Sequence, residues 1–335
     1  MKLRSSIAIA ALALAVSTPL AAQQAPVGEQ AVKVSAIPGV IAAGAKWQRI
    51  WSAPYNADGM ATAADGSLLF AQEQSNSIKK LWPDGKDWVA VPYLEGVGAL
   101  SVDADGRIIA IERTCTDPGW HRSDCATPTA VVEVAPERKI LADKFADGST
   151  LGRLNDVRSD RHGGAFFTEA TKGGVDHVAA HGTVTTVAVG NGLFTNGLTL
   201  SPDGRTLYVT NRQTILAFDV ASDGSTSNRR DFVKLDAEPQ NSFGGDGMTV
   251  DSTGRLYVTG GAGIYVFAPS GAKLGVIPVP RHPITLAFAG PDRKTLYVGA
   301  LGGVDPAGTE WTTAKDVRND AMTIYKVATV AMGLK

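Results

Sequence analysis

Residues 194–211 read FTNGLTLSPDGRTLYVTN, and residues 244–260 read GGDGMTVDSTGRLYVTG. Each runs from a polar residue and a glycine through a short apolar alternation into a tight turn, then into a strand rich in Leu, Tyr and Val. Period-two alternation punctuated by Gly, Asp and Asn is the pattern of β-strands joined by turns. Earlier copies stand at Asp58-Gly59-Met60 leading to Asp65-Gly66, and at Asn155-Asp156-Val157 leading to His162-Gly163. In all four copies the leading residue (Asp58, Asn155, Asn196 or Asp246) precedes the turn glycine by eight positions. Two more turns, Asp105-Gly106 and Asp292-Arg293, bring the strands that follow the turns to six: LLFAQ, IIAIE, AFFTE, LYVTN, LYVTG and LYVGA.

Copies recur every 40 to 60 residues or so, in or somewhat above the range of propeller blades. A small antiparallel sheet cannot bury both faces alone; six packed in a ring bury them and leave only short edges. The sequence therefore predicts an all-β fold, a six-bladed β-propeller spanning 46–335 as one domain. No seventh copy is found, and six in-register copies argue against a two-sheet sandwich. Trp47 to Trp51 is expected to lend a strand to the blade formed by Met322 to Val327, joining the chain ends. Residues 23–45, rich in Ala, Val, Gly and Gln, are expected to form an extended arm.

The first 22 residues resemble a secretory signal peptide: Lys2 and Arg4, an apolar run from Ile7 to Val16, and Leu20-Ala21-Ala22 before the cut. The run is shorter than the roughly 20 residues a spanning helix needs. The mature chain is thus expected in the periplasm or secreted, with no membrane association after cleavage. The chain has 32 basic and 33 acidic residues; loss of Lys2 and Arg4 leaves 30 against 33. This mixed, weak charge points away from nucleic acid as a partner. The two cysteines, Cys115 and Cys125, are expected to form a local disulfide in that compartment. The loop they bound is expected to overhang the channel mouth. Oligomeric state is not legible.

Equivalent positions of a ring of repeats face one axis. A single Asn-Gly or Asp-Gly is usually a turn. Four equivalent slots holding Asp58, Asn155, Asn196 and Asp246, with Gly98 and about Ile284 in the remaining two, describe instead an oxygen-lined cation site. Oxygen ligands favour a hard divalent cation, calcium first, with its roughly six to eight flexible ligands. Magnesium, manganese and zinc are alternatives; the absence of His and Cys from the slots argues against a dedicated zinc site. Four protein ligands leave positions for water and substrate.

At Arg153-Leu154-Asn155-Asp156, at the two runs quoted first and at PITLAFAGPDRKTLYVGA (283–300), the chain resembles the family of senescence marker protein, gluconolactonase and luciferin-regenerating enzyme. The resemblance covers about Trp51 to Val327 and implies a six-bladed propeller with a divalent metal on its axis. It implies that Asn196 and Asp246 are metal ligands and that Asp246 is general base. It also implies that Asn155 is a polar residue at the metal and substrate, and that Arg153 touches substrate. Where the family carries Glu in its first slot this chain has Asp58, one methylene shorter, so a weaker, water-bridged or displaced metal is expected.

The implied activity is hydrolysis of a sugar lactone or related small lactone. The alternative is a non-catalytic propeller that binds a sugar or a protein partner around a structural calcium. A strictosidine-synthase-like propeller would leave the oxygen cluster without a role. No Gly-X-Ser-X-Gly elbow occurs. His162 reads as a solvated turn residue, and His177 and His181 share no helix face. His282 reads as a packing residue near the last blade. Glu112 and Glu169 close strands expected to be innermost.

Overall fold

The computed structural model describes residues 28–113, 129–190, 192–236, 244–314 and 319–334. Cys115, Cys125 and the leader over 1–22 lie outside the described residues. The described chain is a six-bladed β-propeller. Its 24 strands form six four-stranded antiparallel sheets, and its one described helical segment is the 3-10 turn Glu73–Ser75.

The innermost strands are β2 (Asp58–Thr62), β6 (Val97–Val102), β10 (Leu154–Ser159), β14 (Thr195–Leu200), β18 (Met248–Val250) and β22 (Pro283–Ala289). Each contacts the next around the circle, and β22 returns to β2. The six strands anticipated after the turns are the second strands of the blades, β3 (Leu68–Gln72), β7 (Ile108–Glu112), β11 (Ala165–Glu169), β15 (Thr206–Asn211), β19 (Leu256–Gly260) and β23 (Thr295–Leu301). Glu112 and Glu169 therefore end second strands rather than innermost ones. Glu112 accepts two hydrogen bonds from Arg138, at 2.8 and 2.9 Å, and Glu169 accepts the backbone N–H groups of Thr171 and Lys172.

The ring closes through its ends. β1 (Gln48–Ala53) pairs antiparallel with β24 (Met322–Ala328), so the last blade takes its outermost strand from the start of the described chain. Apolar side chains fill the clefts between blades; Phe70 and Ile324 pack in the cleft between the first and last. Residues 28–45 line the outside of the cleft between blades five and six. There Val34, Ile37, Val40 and Ile41 are buried against Tyr257, Ile277 and Val327. Backbone bonds from Val330 and Ala331 to the Val40 carbonyl fix this segment. Among the described residues no helix is long and apolar enough to cross a membrane.

Candidate active site

The slot residues open the innermost strands, and the local backbone explains why they face the axis. In five blades the register with the second strand slips at the slot: at Asp58/Met60, Val97/Ala99, Leu154/Val157, Thr195/Leu198 and Pro283/Thr285. A bulge interrupts strict alternation and re-aims a side chain. In blade five, Asp246 and Gly247 come just before β18. The residue after the slot lies where one innermost strand touches the next. A Cβ on Gly197 would sit 2.3 Å from the Asp246 carbonyl oxygen, and one on Gly247 would sit 2.7 Å from that of Ile284. Neither glycine has positive φ, so these positions need the missing side chain, not left-handed backbone.

Asp58, Asn155, Asn196 and Asp246 line one axial cavity of about 40 Å³, with Gly98 and Ile284 completing the six slots. That volume exceeds what a single water or ion requires. Asn155 and Asn196 are in direct contact: Asn155 Nδ2 donates to Asn196 Oδ1 at 2.6 Å. The Asn196 amide acts on the Asp246 carboxyl group in the opposite sense to burial, favouring its charged form. Asp58 accepts the N–H of Gly59 at 2.9 Å. Arg153 precedes β10, half-buried, with its N–H on Thr171 Oγ1 at 2.9 Å. It is not among the residues that line the cavity.

Three charged residues escaped the sequence reading. Asp156 occupies the position that is glycine in blades one, four and five. Its carboxylate accepts the N–H of Val157 at 2.8 Å and reaches across to that of Leu198 at 3.0 Å, stitching blade three to blade four. Arg113 follows β7 and is buried; its Nη2 donates to the Asn155 carbonyl at 2.7 Å and to Asn155 Oδ1 at 3.0 Å. Its Nε donates to the Leu154 carbonyl at 2.9 Å, its Nη1 pairs with buried Glu73, and Asp58 Oδ2 is 3.6 Å away. Arg158, on β10, lines the same cavity. The sequence signal for Arg113 was Gly98: a Cβ there would fall 2.0 Å from the Arg113 guanidinium carbon.

Burial pushes the Asp246 carboxyl well above the usual range, and the charges of Asp58 and Asp156 add to the shift against a smaller opposing effect of Arg113. Burial also pushes Asp156 up to about 6, with two backbone N–H groups opposing. The cavity lining holds Asp58, Asp156 and Asp246 together with Arg158, and a divalent cation there would favour the ionised carboxylates. The donor set suits such an ion: two carboxylates and two amides, all able to offer oxygen, around one axial cavity. Among the described residues no three His, Cys, Asp or Glu side chains group as a metal site by themselves; an ion here would need the amides of Asn155 and Asn196 as well.

Comparison with known proteins agrees with this architecture. The chain is 29% identical to pentonolactonase XacC of Haloferax volcanii over 248 residues, 65% of this chain and 83% of that one. It is 27% identical to a gluconolactonase of Zymomonas mobilis over 276 residues, 71% of this chain and 73% of that one. In fold it matches a calcium-binding protein, regucalcin, from Agrobacterium tumefaciens, with a TM-score of 0.61 at 18% identity, covering 93% of this chain and 98% of that one. These relatives support a lactone-hydrolysing function at the level of the family. The model of the SMP-30/Gluconolactonase/LRE-like region matches residues 57–301, which include all six axial slots, and the chain belongs to that family.

Proposed function

We propose that this protein is a divalent-metal-dependent lactonase that opens a sugar lactone or a related small lactone to its hydroxy acid. The observation that carries the reading is the convergence of Asp58, Asn155, Asn196 and Asp246 on one axial cavity. The names of the lactonase relatives support the reaction, and the calcium-binding description of regucalcin supports calcium as the first ion to test. When bound, the ion supplies positive charge for the lactone carbonyl and its developing oxyanion.

The protein's own groups account for the rest. Asp58, Asn155, Asn196 and Asp246 hold the ion. Asp246 accepts the proton of the attacking water at its carboxylate. Water adds to the carbonyl carbon, the ring C–O bond breaks, and the proton passes to the departing alkoxide. Arg153, two positions before the blade-three slot residue Asn155, binds sugar hydroxyls or the new carboxylate through its planar fork of donors. The leader over residues 1–22 supports action in the periplasm or outside the cell.

The test is acid release from a panel of aldonolactones, with and without added calcium, magnesium, manganese or zinc. Turnover should require a divalent ion and vanish with chelator. Turnover that survives both chelation and Asp246→Asn would sink the proposal and leave the propeller as a binding module.

A further inference from the structure

We propose that Arg113 is a tethered counter-ion that competes with the divalent cation for the axial oxygens and thereby sets the metal affinity of the site. The inference rests on the metal-dependent reading above. Blade two supplies no oxygen to the ring. Its slot is Gly98, and the space where a side chain would begin is filled by the Arg113 guanidinium. That group is not itself among the residues that line the cavity. It is held there by the backbone carbonyls of Leu154 and Asn155 and by Glu73, itself only 1% exposed.

The competition is for particular atoms. Arg113 Nη2 donates to Asn155 Oδ1 at 3.0 Å, and Asn155 Nδ2 donates to Asn196 Oδ1 at 2.6 Å. Arg113 Nη1 stands 3.6 Å from Asp58 Oδ2. The relay starts at one guanidinium and runs through two of the four proposed ligands, Asn155 and Asn196; a third, Asp58, sits beside the same guanidinium. Each amide carbonyl that would face an ion is already engaged by an N–H. An incoming cation must take these oxygens from their donors and accept a fixed positive charge next to its ligands, and both effects weaken binding. Glu73 moderates the effect by drawing the guanidinium away from the ring.

Calorimetric titration of the metal-free full chain with calcium chloride tests this directly. The paired variant Arg113→Met with Glu73→Met removes both buried charges with little change in volume, a replacement that buried ion pairs often tolerate. It should bind calcium at least tenfold more tightly than wild type. Glu73→Gln alone leaves the guanidinium leaning on the ring and should bind severalfold more weakly, so the proposal stays testable if the double variant does not fold. Arg113→Lys keeps the charge and should stay within about threefold of wild type. Equal or weaker binding by the folded double variant, or tighter binding by Glu73→Gln, overturns the proposal. Wild type that binds none of calcium, magnesium, manganese and zinc overturns the metal-dependent reading itself. Wild type that binds, with variants that do not follow these signs, overturns only the role of Arg113.

Discussion

At Asp246 a buried carboxyl group feels the charges of Asp58 and Asp156, which add to the effect of burial. Asp246→Asn keeps the shape and removes both the charge and the proton acceptor. It should lower kcat by about a hundred- to ten-thousand-fold, the usual range for a lost general base, with an unchanged circular dichroism spectrum. Asp58 invites the opposite experiment. Asp58→Glu adds the missing methylene and should tighten calcium binding severalfold by calorimetry. The slot residues were legible because equal spacing to a turn glycine survives in a linear text. Arg113 and Asp156 were not. Arg113 matters only because Gly98, fifteen positions earlier in the chain, leaves it room. Asp156 has backbone N–H groups as its partners, one of them in the next blade, which the linear order does not show.

The innermost strands carry a second kind of constraint, set by how closely neighbours approach. Gly197→Ala places a methyl group 2.3 Å from a backbone oxygen of the adjoining blade. Such overpacking against main chain costs about 1–3 kcal/mol and moves the bulge that aims Asn196. The expected outcome is a lower midpoint in urea together with weaker calcium binding. Gly204→Ala serves as a control, because nothing lies within 4 Å of a Cβ there, although its φ of +72° adds local backbone strain. The strands that follow the turns were legible from alternation and turn chemistry alone. The bulges at the slots were not, since a register slip depends on the partner strand. For the same reason Glu112 and Glu169 were read as ending innermost strands when they end second strands.

Across the whole molecule, the buried acids should make metal-free stability depend on pH. Asp156 and Asp176 are each pushed by burial to about 6, and Asp246 is raised as well. A carboxyl group with a raised folded-state pKa binds its proton more tightly when folded, so its contribution is present at low pH and lost as pH rises through the folded value. The metal-free melting temperature should fall between about pH 4 and pH 6.5, and saturating calcium should flatten that fall; a melting temperature that rises across this window contradicts the charge arrangement. The segment over 28–45 offers a separate test, because Ile41, 1% exposed, packs between blades five and six. Ile41→Ala should cost about 2–5 kcal/mol in urea unfolding. The circular architecture was readable from six copies of one phrase, and closure through the chain ends from Trp47 to Trp51 and Met322 to Val327. Pairing of β1 with β24 also dictates timing. During synthesis β1 is made before the five intervening blades and its partner β24 only after them. No nascent fragment that lacks β24 owns a finished circle, and the flank of the first blade waits uncovered until the sixth blade is made.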